Sequence, residues 1–102
     1  MGDAIAWLEA WYASNCDGRW ENASGVRIET LDNPGWELVV DLEGTSLEGE
    51  RFAPLKVDRS DTDWFSCSVQ DGRFIGAGGA LNLRDLIDIF RTWVETVERI
   101  RK

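Results

Sequence analysis

The spacing of apolar residues changes twice along this chain, and those two changes restrict the layers it can build. Near the start, Ala4, Leu8, Trp11 and Tyr12 recur at helical spacing, with Trp7 flanking the stripe. From Val26 the period is two: Val26, Ile28 and Thr30 alternate with Arg27, Glu29 and Leu31. From Leu83 the helical period returns, as Leu83, Leu86, Ile87, Phe90, Trp93, Val94, Val97 and Ile100 form one broad apolar stripe. A half-apolar sheet and two apolar helix stripes bury each other best as two layers. The expectation is an α+β fold: a four- to five-stranded antiparallel sheet flanked by an N-terminal helix and a long C-terminal helix. The helices cover one face and leave the other wet.

Turn chemistry divides the central segment. Asp32, Asn33, Pro34 and Gly35 predict a type II turn, with Pro34 presetting φ and Gly35 taking positive φ. The strand after it runs from Trp36 through Leu38, Val40 and Leu42, with Glu37, Asp41 and Glu43 on its other face. A third strand is expected near Arg51 to Arg59, and Pro54 places it on an edge or at a bulge. After a polar turn from Ser60 to Asp63, a fourth strand, Trp64 to Gln70, puts Phe65, Cys67 and Val69 on one face. Asp71 and Gly72 predict a type I′ hairpin into Arg73, Phe74 and Ile75. The glycines of GAGGA, residues 76–80, are expected to break that strand. Asp3 is the expected cap of the first helix, and Gly18 marks its stop. Asn82 with Asp85 reads as a capping box opening the last helix, and Arg99, Arg101 and Lys102 suit its C-terminal dipole end.

The 102 residues fit one domain, 1–102, with 43% hydrophobic and 29% charged residues, a soluble globular balance. The opening MGDAIAWLEAWY lacks the basic start of a secretory signal, and no apolar run reaches the length of a membrane span. Gly2 is followed by Ala6 rather than the Ser or Thr of a myristoylation signal. The expected compartment is the cytoplasm, where Cys16 and Cys67 stay as free thiols.

Charge is distributed unevenly. Nine of the nineteen carboxylates fall between Asp17 and Glu50, against two bases, Arg19 and Arg27. That stretch carries −7 of the chain's −8, while residues 82–102 hold four acids and five bases. Such a surface repels nucleic acid and anionic membrane and attracts a basic partner. The chain has no histidine, no CxxC pair and no P-loop, dinucleotide-binding or GxSxG motif. No catalytic residue, metal ligand or cofactor is expected, and a binding role is favoured over an enzyme.

Three groups of residues are candidates for a site. Asp17, Trp20 and Glu21, with Asp32, Asn33 and Trp36, form two acidic loops that each carry a large aromatic. Their carboxylates would steer a basic partner and their indoles would anchor it, if both loops reach the same end of the sheet; equally, Trp20 and Trp36 would simply cap the ends of the core. The second group is the acidic run Asp41, Glu43, Glu48 and Glu50, which could bind a divalent cation but lacks the ligand ladder of a calcium loop and reads more readily as a solvated face. The third is GAGG before a helix, which could cradle a phosphate but lacks the lysine or serine a P-loop needs.

The segments WLEAWYASNCDGRWE, GVRIETLDNPGWELVVDLEGTSLEG, DWFSCSVQDGRFIGAGG and NLRDLIDIFRTWV resemble the bacterial immunity protein family fifty-three, from about Trp7 to Trp93. The combination of NCDG-W-E, LDNPGW and GAGG carries the resemblance. It implies a cytoplasmic antidote that binds a cognate toxin domain, often a nuclease, and blocks it. It marks Asn15, Asp17, Trp20, Glu21, Asp32, Asn33 and Trp36 as family features. Two alternatives stand beside this reading. One is a thiol-dependent or sulfurtransferase-like enzyme using Cys16 or Cys67, although Arg73 comes one place late for a C-x4-R loop. The other is a self-associating module, a homodimer formed through a sheet edge or the wet face.

Overall fold

Residues 3–100 are described by the structure, a computed structural model. Arg101 and Lys102, assigned above to the helix end, and Gly2 lie outside the described residues. The chain runs α1 (Ala4–Asn15), α2 (Trp20–Ala23), β1 (Val26–Leu31), β2 (Gly35–Asp41), β3 (Leu55–Ser60), β4 (Asp63–Gln70), β5 (Arg73–Gly79) and α3 (Leu83–Ile100). The five strands form one antiparallel sheet in the order β1-β2-β5-β4-β3. The α+β architecture expected from the two periodicities is therefore the one observed, with five strands rather than four.

Asp3 caps α1 as expected, its Oδ1 accepting from the N–H groups of Ile5 at 3.0 Å and Ala6 at 3.3 Å. Ala4, Leu8 and Trp11 turn inward from α1, while α3 buries Leu86, Ile87, Phe90, Trp93, Val94 and Val97. Both helices lie on the same side of the sheet and meet Leu38 and Val40 of β2, Phe65 and Cys67 of β4 and Phe74 of β5. Phe90 is the hub of this layer: its ring lies 5.0 Å from Trp11, 5.0 Å from Phe74, 5.9 Å from Trp7 and 6.3 Å from Trp93.

The loop from residue 42 to 54 also folds over this side. Leu42 and Leu47 are buried in the core, and Phe52 packs 5.5 Å from Phe74 and 5.1 Å from Trp93. The third strand is consequently shorter than the expected Arg51–Arg59. Residues 51–54 leave the ladder, Phe52 turns into the core and the Arg51 carbonyl accepts the Trp93 indole N–H at 2.9 Å. Pairing begins just after Pro54 on an edge strand, with an irregularity between Asp58 and Ser60.

Three local expectations fail for identifiable reasons. Gly35 does not take positive φ, so the β1–β2 connection is not a type II turn. Gly35 opens β2 between Leu31 and Gly79, where a Cβ would collide with the Gly78 carbonyl oxygen; close approach of strands, not turn geometry, requires the glycine. GAGG does not break β5: Gly76, Ala77, Gly78 and Gly79 pair with Leu38, Glu37, Trp36 and Gly35. The side chains of Asn82 and Asp85 bond to each other at 2.8 Å instead of forming the expected capping box. Asn82 is turned toward the sheet, where its Oδ1 accepts the Trp64 N–H at 3.3 Å. The Asp71–Gly72 hairpin does follow expectation, with φ of 53° and 77°.

Among the described residues no element covers the opposite face of the sheet, which is bare. Val39, Ile75, Ala77, Trp64 and Leu31 alternate with the core-facing residues and belong to no part of the core cluster. Among the described residues no helix is long and apolar enough to cross a membrane.

Candidate functional site

The chain turns sharply after α1 to set up α2. Asp17 Oδ1 accepts from the N–H groups of Arg19 at 2.9 Å and Trp20 at 3.0 Å. Glu21 reaches back, its Oε1 accepting the Asp17 N–H at 3.0 Å and its Oε2 the Gly18 N–H at 2.8 Å. The two carboxylates thus cap one turn reciprocally. The Trp20 and Arg19 N–H groups hold the Asp17 carboxyl below its ordinary range. The turn delivers Trp20 into the core, where it is 7% exposed and meets Trp11 edge-on at 6.0 Å. Its indole N–H is buried with no hydrogen-bond partner among the described residues. Trp20 is therefore a packing residue, and Asp17 and Glu21 are occupied in placing it.

Asp41 ends β2 beside this turn. Its Oδ2 accepts the Gly25 N–H at 2.9 Å, and its Oδ1 takes Arg73 Nε at 3.1 Å. Glu48 closes the following loop, accepting the Gly44 N–H at 3.0 Å. Around them opens a cleft of about 550 Å³ that also borders Ala23 and Ser24 of α2 and its following residue. Five carboxylates line it, those of Asp41, Glu43, Glu48, Glu50 and Asp71, and among the described residues Arg73 is its one basic lining residue. Arg73 is tied to Asp41, and the lining is acidic by composition.

Asp32, Asn33 and Trp36 stand elsewhere. The expectation that the two aromatic loops share an end of the sheet fails on register. Val26 pairs with Val40 beside α2, whereas Leu31 pairs with Gly35 at the far end of β1. Six strand residues separate them, roughly 20 Å at about 3.3 Å per residue. Trp36 is half-buried against the core and donates its indole N–H to the Ala80 carbonyl at 2.9 Å. Asp32 and Asn33 are exposed on the turn.

Of the candidate residues, then, Asp17, Trp20, Glu21, Asp41, Glu43 and Glu48 gather at one end, and Asp32, Asn33 and Trp36 at the other. Sequence reasoning missed Asp71 and Arg73 as members of the acidic cleft. The Asp71–Gly72 hairpin was legible, but only the pairing of Asp41 with Arg73 brings it beside β2.

The thiols offer little chemistry. Cys67 sits in β4 facing α3, and burial pushes its thiol up to about 12. Cys16 is exposed and donates its S–H to the Tyr12 carbonyl at 3.3 Å. Among the described residues no three His, Cys, Asp or Glu side chains are grouped to hold a metal ion.

A two-layer α+β domain with a strongly acidic cleft and a buried, non-nucleophilic cysteine has the features of a binding protein. Residues 5–95 match the family model of Immunity protein 53, and the chain belongs to that family. No curated protein and no solved structure matches it. Immunity proteins of this family are not enzymes, and their partner is a cognate toxin.

Proposed function

We propose that this chain is a cytoplasmic antidote that binds a basic toxin domain through the acidic end of its sheet. The observation that carries this reading is the convergence of five carboxylates from β2, the 42–54 loop and the β4–β5 hairpin on one cleft. A nuclease fits this description, because an enzyme that grips a polyanion needs a basic cleft. Carboxylates presented on the antidote meet that cleft as phosphates would, accelerate encounter and cover the catalytic surface. The same charge excludes nucleic acid and anionic membrane as partners of this end. Asp32, Asn33 and Trp36, at the far end, lie outside this interface.

The test is binding kinetics against the toxin domain encoded beside this gene. Glu43 is exposed and makes no hydrogen bond on which the fold depends, so Glu43→Lys changes charge alone. Association should slow roughly fivefold at low salt, and the difference should shrink at high salt. Asp32→Lys, the same reversal at the opposite end, should leave association nearly unchanged. Equal effects from both would move the interface, and no binding by the folded wild-type chain would refute the reading. Reversal at Asp17 or Glu21 is unsuitable, because each would also strip the cap that places Trp20. Self-association, the second reading, rests on the bare face of the sheet, which meets the acidic cleft at the Asp41–Arg73 pair.

A further inference from the structure

The bare face has an arrangement that the toxin-binding reading does not use. Its centre is apolar and shallow: Val39 pairs with Ile75, and Ala77 lies one step along β5. Val39 is only 8% exposed yet outside the core cluster. At one side, Glu29 of β1 stands directly opposite Glu37 of β2. Like charges opposite each other in a ladder are unfavourable, and neither has an ion-pair partner among the described residues. At the other side, on the same row, Lys56 of β3 pairs with Ser66 and is also without an ion-pair partner. The row reads Glu29, Glu37, Ala77, Ser66, Lys56 across β1-β2-β5-β4-β3.

That row is acidic on one side of β5 and basic at the far edge, so a second copy turned about β5 sets its base over an acid. We propose that the bare face is the interface of a two-fold homodimer. A two-fold axis parallel to β5, lying between two facing sheets, carries β1 of one copy over β3 of the other, and β2 over β4. Glu29 then lies over Lys56 of the second copy, Glu37 beside it, and Ala77 over itself. Each copy supplies one such set, so the lysine relieves the acid pair twice. Along the axis Ala77 and Gly79 are small and Ile75 meets its own copy, which allows about the 10 Å of aligned sheet packing, with Arg73 at the end of the axis beside Asp41.

The choice of a second copy over the toxin follows from charge. The chain as a whole carries −8. This face carries two bases, Arg27 and Lys56, against three acids, Glu29, Glu37 and Asp58, with the Asp41–Arg73 pair at its border with the cleft. It is the nearly neutral side on which two acidic copies can meet, and it offers a basic partner far less than the cleft does. Size sets the strength. Five strands about 4.8 Å apart and seven residues of about 3.3 Å give a footprint of roughly 500 Å². That is below the ~800 Å² per partner of a standard stable interface, so the dimer is a weak one, formed at micromolar or higher concentration.

Sedimentation of the full chain from about 10 to 500 μM tests it. The wild type should show a concentration-dependent monomer–dimer equilibrium. Ala77→Arg, which places a charge on the axis, should weaken it more than tenfold, and so should Lys56→Glu. Lys56→Glu combined with Glu29→Lys exchanges the two ends and should restore association. Circular dichroism confirms that each variant is folded. A wild type that stays monomeric throughout would overturn the proposal, and so would a dimer indifferent to Ala77→Arg or a charge exchange that fails to rescue. A monomer whose toxin binding is lost in Ala77→Arg would assign the face to the toxin instead. Glu43→Lys acts on the cleft, so it separates failure of the dimer from failure of the toxin-binding reading.

Discussion

Asn82 is the buried polar residue on which the junction of sheet and long helix turns, and its removal has a calculable effect. It is 4% exposed. Its Oδ1 accepts the Trp64 N–H at 3.3 Å, and its Nδ2 donates to Asp63 at 3.0 Å and Asp85 at 2.8 Å. Asn82→Ala deletes all three bonds. The Asp63 carboxylate can turn to water, since its side chain is 44% exposed, but the part-buried Trp64 N–H loses its acceptor. At a net value of about 0.5–1 kcal/mol per bond, with about 1 kcal/mol more for the stranded N–H, the loss is about 3 kcal/mol. Asn82→Asp keeps the size and the acceptor but sets a third carboxylate between Asp63 and Asp85. At pH 7 it should be less stable than Asn82→Ala. Repulsion raises the folded pKa of the new carboxylate, so its penalty is present at high pH and lost as pH falls through that value. The gap between the two variants should therefore narrow toward pH 4.5. Urea unfolding followed by tryptophan fluorescence at both pH values gives the numbers. An Asn82→Ala chain within 0.5 kcal/mol of wild type by that criterion, or an Asn82→Asp chain no worse than it at pH 7, would refute the network as described.

Two further outcomes follow from the packing. Gly76→Val should destabilise by about 1–3 kcal/mol in the same urea assay, because a Cβ there meets Leu86 Cδ2 at 3.2 Å and Cys67 Sγ at 3.4 Å. At neutral pH a thiol-alkylating reagent should modify Cys16 in the native chain and spare Cys67 until urea unfolds it. Burial holds the Cys67 thiol near 12, so a fast-reacting Cys67 would contradict its placement.

Much of the fold was legible because it is set by local pattern. The stripe from Leu83 to Val97, the cap at Asp3 and the Asp71–Gly72 hairpin each depend on residues a few positions apart. The glycines were misread because their reason is not local. Gly35 reads as a turn residue beside Pro34, but the approach of Gly78 on another strand excludes its side chain. Phe52 reads as part of a strand, but Phe74 and Trp93 draw it into the core and shorten β3. The Trp20 loop reads from sequence either as an acidic anchor or as a cap on the core, and the backbone N–H groups that its carboxylates cap, invisible in the sequence, decide for the core.

The sequence by itself determined the two-layer α+β class, the regional acidity and the family, since periodicity, composition and motif order are properties of the chain read in line. Only the tertiary structure decided which carboxylates share a cleft. Strand order placed β5 between β2 and β4, brought Asp71 and Arg73 beside Asp41, and sent Asp32 and Trp36 to the opposite end. The same order put Glu29 and Glu37 at one side of the bare face and Lys56 at the other. Long-range pairing joins segments far apart in the chain, and the packing of their side chains selects it, so the composition of a charged surface is known only after the sheet has closed.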